Sequence, residues 1–178
     1  MRSRSLIWHR SVSTAAGEFT AGFTERGLKE LFFPEQSAPL PETSPDSFPD
    51  FLVPQWRRTQ AALDAILAGH EPEELPDFDW SAATPFQQQV WEQLLAIPMG
   101  SISSYGEIAD RLGRPGGARA VGTACGANPI PVLVPCHRVV TSVGSLGGFS
   151  GGLDWKRKLL AVERVSAQGA LPLAASAR

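Results

Sequence analysis

Ser104-Tyr105-Gly106-Glu107-Ile108-Ala109-Asp110-Arg111-Leu112-Gly113, Arg114-Pro115-Gly116-Gly117, then Ala118-Arg119-Ala120-Val121-Gly122-Thr123-Ala124-Cys125-Gly126: this stretch decides the fold of the C-terminal half. Ser104 with Glu107 three residues later is a capping box, and it predicts a short helix through Ile108 and Leu112 that stops at Gly113. The turn Arg114–Gly117 feeds a second helix from Ala118 to about Gly126. Two short helices joined by a glycine-bearing turn predict a helix-turn-helix. The second helix is nearly bare, with Arg119 as its long polar side chain beside the short Thr123. Such a helix can lie close to a nucleic-acid backbone but has too few side chains to read base edges, which predicts binding with little sequence specificity. Close helix packing explains the same small residues equally well.

Upstream, Thr84-Pro85-Phe86-Gln87 gives a cap, a proline at the first helical position and a glutamine at the third, opening a helix with Phe86, Val90, Leu94 and Leu95 on one stripe. Downstream, Pro135-Cys136-His137-Arg138-Val139 sits between the apolar runs Val132–Val134 and Val139–Val140, and reads as a buried strand that carries a thiol and an imidazole. Neighbouring side chains of a strand point to opposite faces, so a direct Cys136–His137 hydrogen bond is not expected. The backbone turns sharply there or a water bridges the two groups, and the water is the preferred reading. A glycine-rich loop, Thr141–Gly152, follows around Phe149-Ser150. The last helix is expected to start at Asp154 as N-cap, and Glu163 shares its apolar face with Leu159 and Leu160. A buried acid needs a partner. Cys136, His137 and Glu163 therefore form a candidate nucleophile, base and orienter.

The first half reads differently. Strands are expected at Leu6–Val12, Glu18–Phe23 and Leu28–Phe33, forming an antiparallel meander. The Pro-rich loop 34–54 excludes a regular element, Trp56–Ala68 reads as a helix stopped by Gly69, and His70–Ala83 reads as a linker. The expected fold class is α+β in two domains: a small antiparallel sheet plus helix over 1–83, a mostly helical catalytic DNA-binding domain with the helix-turn-helix over 84–165, and a disordered tail over 166–178. Residues 1–84 hold seven basic and thirteen acidic side chains, whereas 85–165 hold eight and five. The sign change places any polyanion contact in the second half. No apolar run approaches the ~20 residues that span a bilayer, and the N-terminus lacks a long apolar segment and a cleavage site, so a cytoplasmic location and no membrane partner are expected. Cys125 and Cys136 are the two cysteines, and with His9, His70 and His137 they form no cluster of structural-zinc spacing, so neither metal nor cofactor is expected.

From Thr84 to Glu163 the chain closely resembles the O6-alkylguanine-DNA alkyltransferases. The resemblance rests on Phe86-Gln87 with Val90-Trp91, Ile97-Pro98-Met99-Gly100, Ser104–Glu107, Arg119–Gly122, Asn128-Pro129, Pro135–Val139, Phe149–Gly152, and Leu159-Leu160 with Glu163. It implies single-turnover transfer of an alkyl group from O6 of a flipped guanine in double-stranded DNA to Cys136, with His137 and Glu163 generating the thiolate through a water. It further implies that Arg119 enters the duplex through the minor groove from the helix begun by Ala118 and fills the gap left by the base. Tyr105 crowds the 3′ phosphate, and Asn128 ties the recognition helix to the active-site turn. Val139 and Val140 help to wall the pocket, while Ser150 and the Gly151 backbone donate towards O6. The chain departs from the family at Phe149, where tyrosine is usual, so a hydroxyl that can assist the leaving base is missing. Cys125, where a larger apolar residue is frequent, reads as a packing residue. The expected partner is duplex DNA bearing O6-alkylguanine, with O4-alkylthymine open as a second lesion, and the expected state is a monomer. A cysteine hydrolase using Cys136, His137 and Glu163, or a non-catalytic lesion-binding module, are the alternative readings.

Overall fold

The computed structural model describes residues 6–36 and 48–164, and the chain divides into two compact units, 1–82 and 83–178. The tail expected over 166–178 and the centre of the Pro-rich loop lie outside the described residues.

In the first unit β1 (Trp8–Thr14), β2 (Gly17–Thr24) and β3 (Gly27–Phe32) form an antiparallel sheet in sequential order. Each strand boundary lies within two residues of the sequence expectation. Val12, Phe19, Ala21, Phe23, Leu28 and Leu31 are buried, and α1 (Val53–Leu67) covers them with Ala62, Leu63 and Ile66. Burial of each large apolar side chain here stabilises the unit by roughly 1.5–3 kcal/mol.

Two expectations are corrected. The helix begins at Val53, after a 3-10 turn at Asp50–Leu52, so Pro54 lies inside its first turn instead of ending the loop. A proline there costs nothing, because its missing N–H would have no intrahelical acceptor. The segment 70–83 is also more than a linker. Leu28 N donates to Asp77 O at 2.8 Å, Asp79 N donates to Leu28 O at 2.8 Å, and the buried Asp79 carboxylate accepts from Thr24 Oγ1 at 2.6 Å. Gly27 permits this approach, since a Cβ at its φ of 133° would stand 2.2 Å from Asp77 O.

In the second unit α2 (Pro85–Leu95) opens with the expected capping box on Thr84 and Gln87. Its Trp91 Nε1 donates to Ala124 O at 2.9 Å, which ties it to the helix that carries Ala124. After β4 (Ser103–Ser104), α3 (Tyr105–Arg111) starts from a second capping box, and α4 (Ala118–Gly126) packs on α3 as a helix pair.

The strand expected around Cys136 is absent. Residues 129–133 form a turn, with Val134 N donating to Ile130 O and Val132 at φ 75°, and Cys136–Arg138 is a single 3-10 turn. Pro129, Pro131 and Pro135 remove three backbone donors that a strand ladder would need. Only β5 (Val139–Val140) is extended, parallel to β4 with Ser103 opposite Val139. α5 (Leu153–Val162) begins one residue before the expected cap, from Gly152 at φ 85°. Asp154 instead lies in the first turn, where it is exposed and pairs with Arg157 at 2.8 Å. Among the described residues no helix is long and apolar enough to cross a membrane.

Candidate active site

A cavity of about 650 Å3 opens beside α4. The bare face of that helix supplies one wall through Ala118, Arg119, Gly122, Thr123, Cys125 and Gly126. Gly147, Gly148, Phe149 and Ser150 of the glycine-rich loop supply another, and Tyr105 stands between the two. A Cβ on Gly147 would lie 2.7 Å from the Tyr105 hydroxyl, so only glycine lets the ring and the loop meet. Cys136 is the one lining residue from the 3-10 turn, and it is buried.

Behind the thiol the polar groups are tightly coupled. Asn128 Nδ2 donates to Val134 O at 2.9 Å and to Cys136 Sγ at 3.2 Å, while its Oδ1 accepts from Ile130 N at 3.0 Å. One amide therefore shapes the turn and touches the sulfur. His137 Nε2 meets Glu163 Oε1 at 2.8 Å, and both side chains are wholly buried. His137 Nδ1 is buried with no hydrogen-bond partner among the described residues, so the ring does not bond the thiol directly. The sharp turn and the absence of a direct bond thus occur together. Arg138 grips the same carboxylate, with Nε 2.9 Å from Oε2 and Nη2 2.9 Å from Oε1. Lys156, also wholly buried, donates from Nζ to Val139 O at 2.6 Å and to Leu146 O, joining β5 to the loop.

Burial governs the protonation states. It pushes the Cys136 thiol up, against the hydrogen bond from Asn128 and the charge of Lys156, which favour the thiolate. It pushes His137 down, against the pull of Glu163. For Glu163 burial works upward, but hydrogen bonds from His137 and Arg138 outweigh it and leave the carboxyl at about 2. Burial lowers Lys156 to about 8, and raises Cys125 and Tyr105 to about 12, with the neighbouring thiols adding to both increases. The resting site therefore holds a protonated thiol, a neutral imidazole and an ionised carboxylate.

Of the residues singled out in the sequence, Tyr105, Ala118, Arg119, Cys136, Phe149 and Ser150 line the cavity. Asn128, His137 and Glu163 lie behind the thiol. Val139, Val140 and Gly151 are not among the residues that line it. The valines are buried in β5, paired with β4. Gly151 lies inside a turn closed by Gly152 N donating to Phe149 O. Cys125 was expected only to pack, yet it forms part of the wall. Arg138 and Lys156 escaped the sequence reading. Lys156 had a signal: it precedes Leu159 by three and Leu160 by four, on the stripe that ends in Glu163.

Fold and site together define a small α+β protein in which a helix pair flanks a cavity ending on one buried thiol. Residues 85–165 match the family described as 6-O-methylguanine DNA methyltransferase, DNA binding domain. The methylated-DNA–protein-cysteine methyltransferase of Mycobacterium tuberculosis is 51% identical over 114 residues, 62% of this chain and 67% of the relative. The enzyme of the same name from Salmonella typhimurium is 42% identical over 118 residues, 66% of this chain and 63% of the relative. The crystal structure of M. tuberculosis OGT in complex with DNA matches with a TM-score of 0.73 and 38% identity, covering 93% of this chain and 95% of that one. The chain belongs to the methylated-DNA–protein-cysteine methyltransferase family.

Proposed function

We propose that this protein repairs DNA by moving an alkyl group from O6 of guanine in duplex DNA to Cys136, once and irreversibly. The observation that carries the reading is the thiol at the cavity, next to His137 whose Nε2 is engaged by Glu163 and whose Nδ1 has no hydrogen-bond partner among the described residues. Glu163 is ionised, so Nε2 carries the proton and Nδ1 holds a lone pair. A water bridging Nδ1 and Sγ would satisfy the orphaned nitrogen and relay the thiol proton to it. The thiolate attacks the alkyl carbon, an S–C bond forms, and the C–O6 bond breaks with its electron pair leaving on the base. Asn128 and the Lys156 charge favour the developing thiolate. Ser150 on the cavity wall and the Gly151 N–H are the donors towards O6; Phe149 supplies a ring face without a hydroxyl.

A base reaches such a thiol only after leaving the stack, at a cost of a few kcal/mol. Arg119, exposed at the cavity mouth, would enter through the minor groove and occupy the gap, Tyr105 would crowd the 3′ phosphate, and the bare α4 would permit the close approach. In this reading 84–165 is the catalytic DNA-binding domain, sequence specificity is low, the protein works as a monomer in the cytoplasm, and O4-alkylthymine fits the same reaction.

The test is intact and peptide mass after mixing with a duplex carrying O6-methylguanine. One methyl on Cys136, stoichiometric with repair and lost in Cys136→Ala, is expected. Repeated turnover with an unmodified cysteine would mean a hydrolase and end the proposal. Arg119→Ala should slow repair of the duplex at least tenfold while sparing reaction with free O6-benzylguanine. Equal losses on both substrates would remove Arg119 from base flipping.

A further inference from the structure

The carboxylate of Glu163 has no acceptor site to spare. Oε1 faces His137 Nε2 at 2.8 Å and accepts from Arg138 Nη2 at 2.9 Å and Nε at 3.2 Å; Oε2 accepts from Arg138 Nε at 2.9 Å and Gly100 N at 3.3 Å. Two carboxylate oxygens offer about four lone-pair sites, and these contacts fill them. Arg138 is fixed at its far end as well, because Nη1 donates to Ile97 O at 2.6 Å. The planar fork is thereby held between the backbone of the Ile97–Gly100 segment and the acid, and neither partner can turn without breaking several bonds.

This matters for the ring beside it. His137 has 0% exposure, meets the Phe149 ring edge-on at 6.3 Å, and points Nε2 at an oxygen that can only accept. Its proton must then sit on Nε2, and Nδ1 is the open nitrogen. The charged and titratable groups around it are Glu163 beyond the end of α5, Lys156 within α5, and Arg138 and Cys136 from its own turn. Two of the four are cations that oppose a second proton on the ring.

We propose that Arg138 is a positioning residue for alkyl transfer: by holding both oxygens of Glu163 it keeps His137 a neutral base with Nδ1 open. This deepens the proposed function and rests on it. Without the guanidinium, Glu163 regains free lone pairs and loses its counter-cation, and the His137–Glu163 contact becomes a carboxylate–imidazolium pair. An imidazole that already carries two protons cannot take the thiol proton. Lysine keeps the charge, but one ammonium cannot span both oxygens and the Ile97 carbonyl in the geometry of the fork.

The test is ring-nitrogen NMR of the full-length protein across pH for wild type, Arg138→Lys and Arg138→Met, beside the pH profile of methyl transfer from an O6-methylguanine duplex. Wild-type His137 is expected as the neutral Nε2–H tautomer. In Arg138→Met the ring should take its second proton at higher pH, the acid limb of the transfer profile should move up with it, and the rate at neutral pH should fall about tenfold or more. Arg138→Lys should fall between. An Nδ1–H tautomer in the wild-type protein overturns the proposal even if neither variant folds. Variants that melt lower but keep the wild-type ring titration and pH profile overturn it too, because Arg138 would then be only a structural tie. A wild-type protein that never gains a methyl mass ends the proposed function and Arg138's part in transfer with it, a result read independently of the ring spectra.

Discussion

Among the described residues two histidine–glutamate pairs have almost the same length, and only one stands at the candidate site. In the sheet of the first unit His9 Nε2 lies 2.7 Å from Glu30 Oε1, and in the second unit His137 Nε2 lies 2.8 Å from Glu163 Oε1. Even the unpartnered nitrogen is shared, for Nδ1 of each ring is buried without a hydrogen bond among the described residues. What differs is the surroundings. His9 and Glu30 sit on β1 and β3 and meet across Gly22 of β2, the register partner of both, and the glutamate side chain is 24% exposed. The side chains of His137 and Glu163 are 0% exposed, the acid is clamped by Arg138, and the residue before the histidine, Cys136, carries a thiol. A histidine–carboxylate contact is therefore not itself a catalytic signal. It becomes one when burial fixes the proton and a nucleophile stands beside the open nitrogen.

Substitution of the two histidines should separate the pairs most widely. His137→Ala is expected to slow methyl transfer to Cys136 by about 10²–10⁴, the usual range for loss of a general base. His9→Ala should leave that rate within a factor of two and lower the thermal midpoint by a few degrees. Single-turnover transfer and melting measured on both proteins decide it, and a large rate loss in His9→Ala would erase the distinction.

The acid limb of stability is the second way to divide them. The folded-state value of Glu163 is depressed, so its contribution is fully present above the unfolded value of 4.5 and is lost as pH falls towards about 2. His137, also depressed, adds loss in the same direction once pH falls below its ordinary 6.5, because the unfolded ring binds the proton first. Denaturant midpoints between pH 7 and 3 should therefore fall steeply in the wild type and more shallowly in Glu163→Gln, a difference of the order of a few kcal/mol. Glu30→Gln, at a pair reached by water, should lower the midpoint at neutral pH far less than Glu163→Gln does. Equal changes in the two variants would mean that burial does not set the value of a pair.

The smallest expected effect comes from Gly22→Ala. Its Cβ would lie 2.7 Å from Glu30 Cγ and 2.9 Å from His9 Nε2, so the pair must part by a few tenths of an ångström or break. A loss near 1 kcal/mol, read as a midpoint lower by about 2–4 °C, is expected with methyl transfer retained.

The sequence by itself carried the local half of this protein. Capping boxes at Thr84–Gln87 and Ser104–Glu107, the turn at Arg114–Gly117 and the three-strand alternation are written within a few residues each, and those elements stand where they were expected. The nucleophile, its neighbouring base and the acid on the apolar stripe of the last helix were also legible, since each is a chemical type out of keeping with its setting. Tertiary structure decided the rest. The run around Cys136 looks like a strand, but three missing proline donors and the bonds of Asn128 fold it into a turn, and no local pattern reveals where an amide from eight residues away will reach. Arg138 and Lys156 have no role that the sequence alone assigns until the fold buries them against Glu163 and two carbonyls. Periodicity reports which face of an element is covered, whereas the partner of a buried charge is a long-range fact, fixed only when distant segments such as 97–100, 136–140 and 156–163 are packed together.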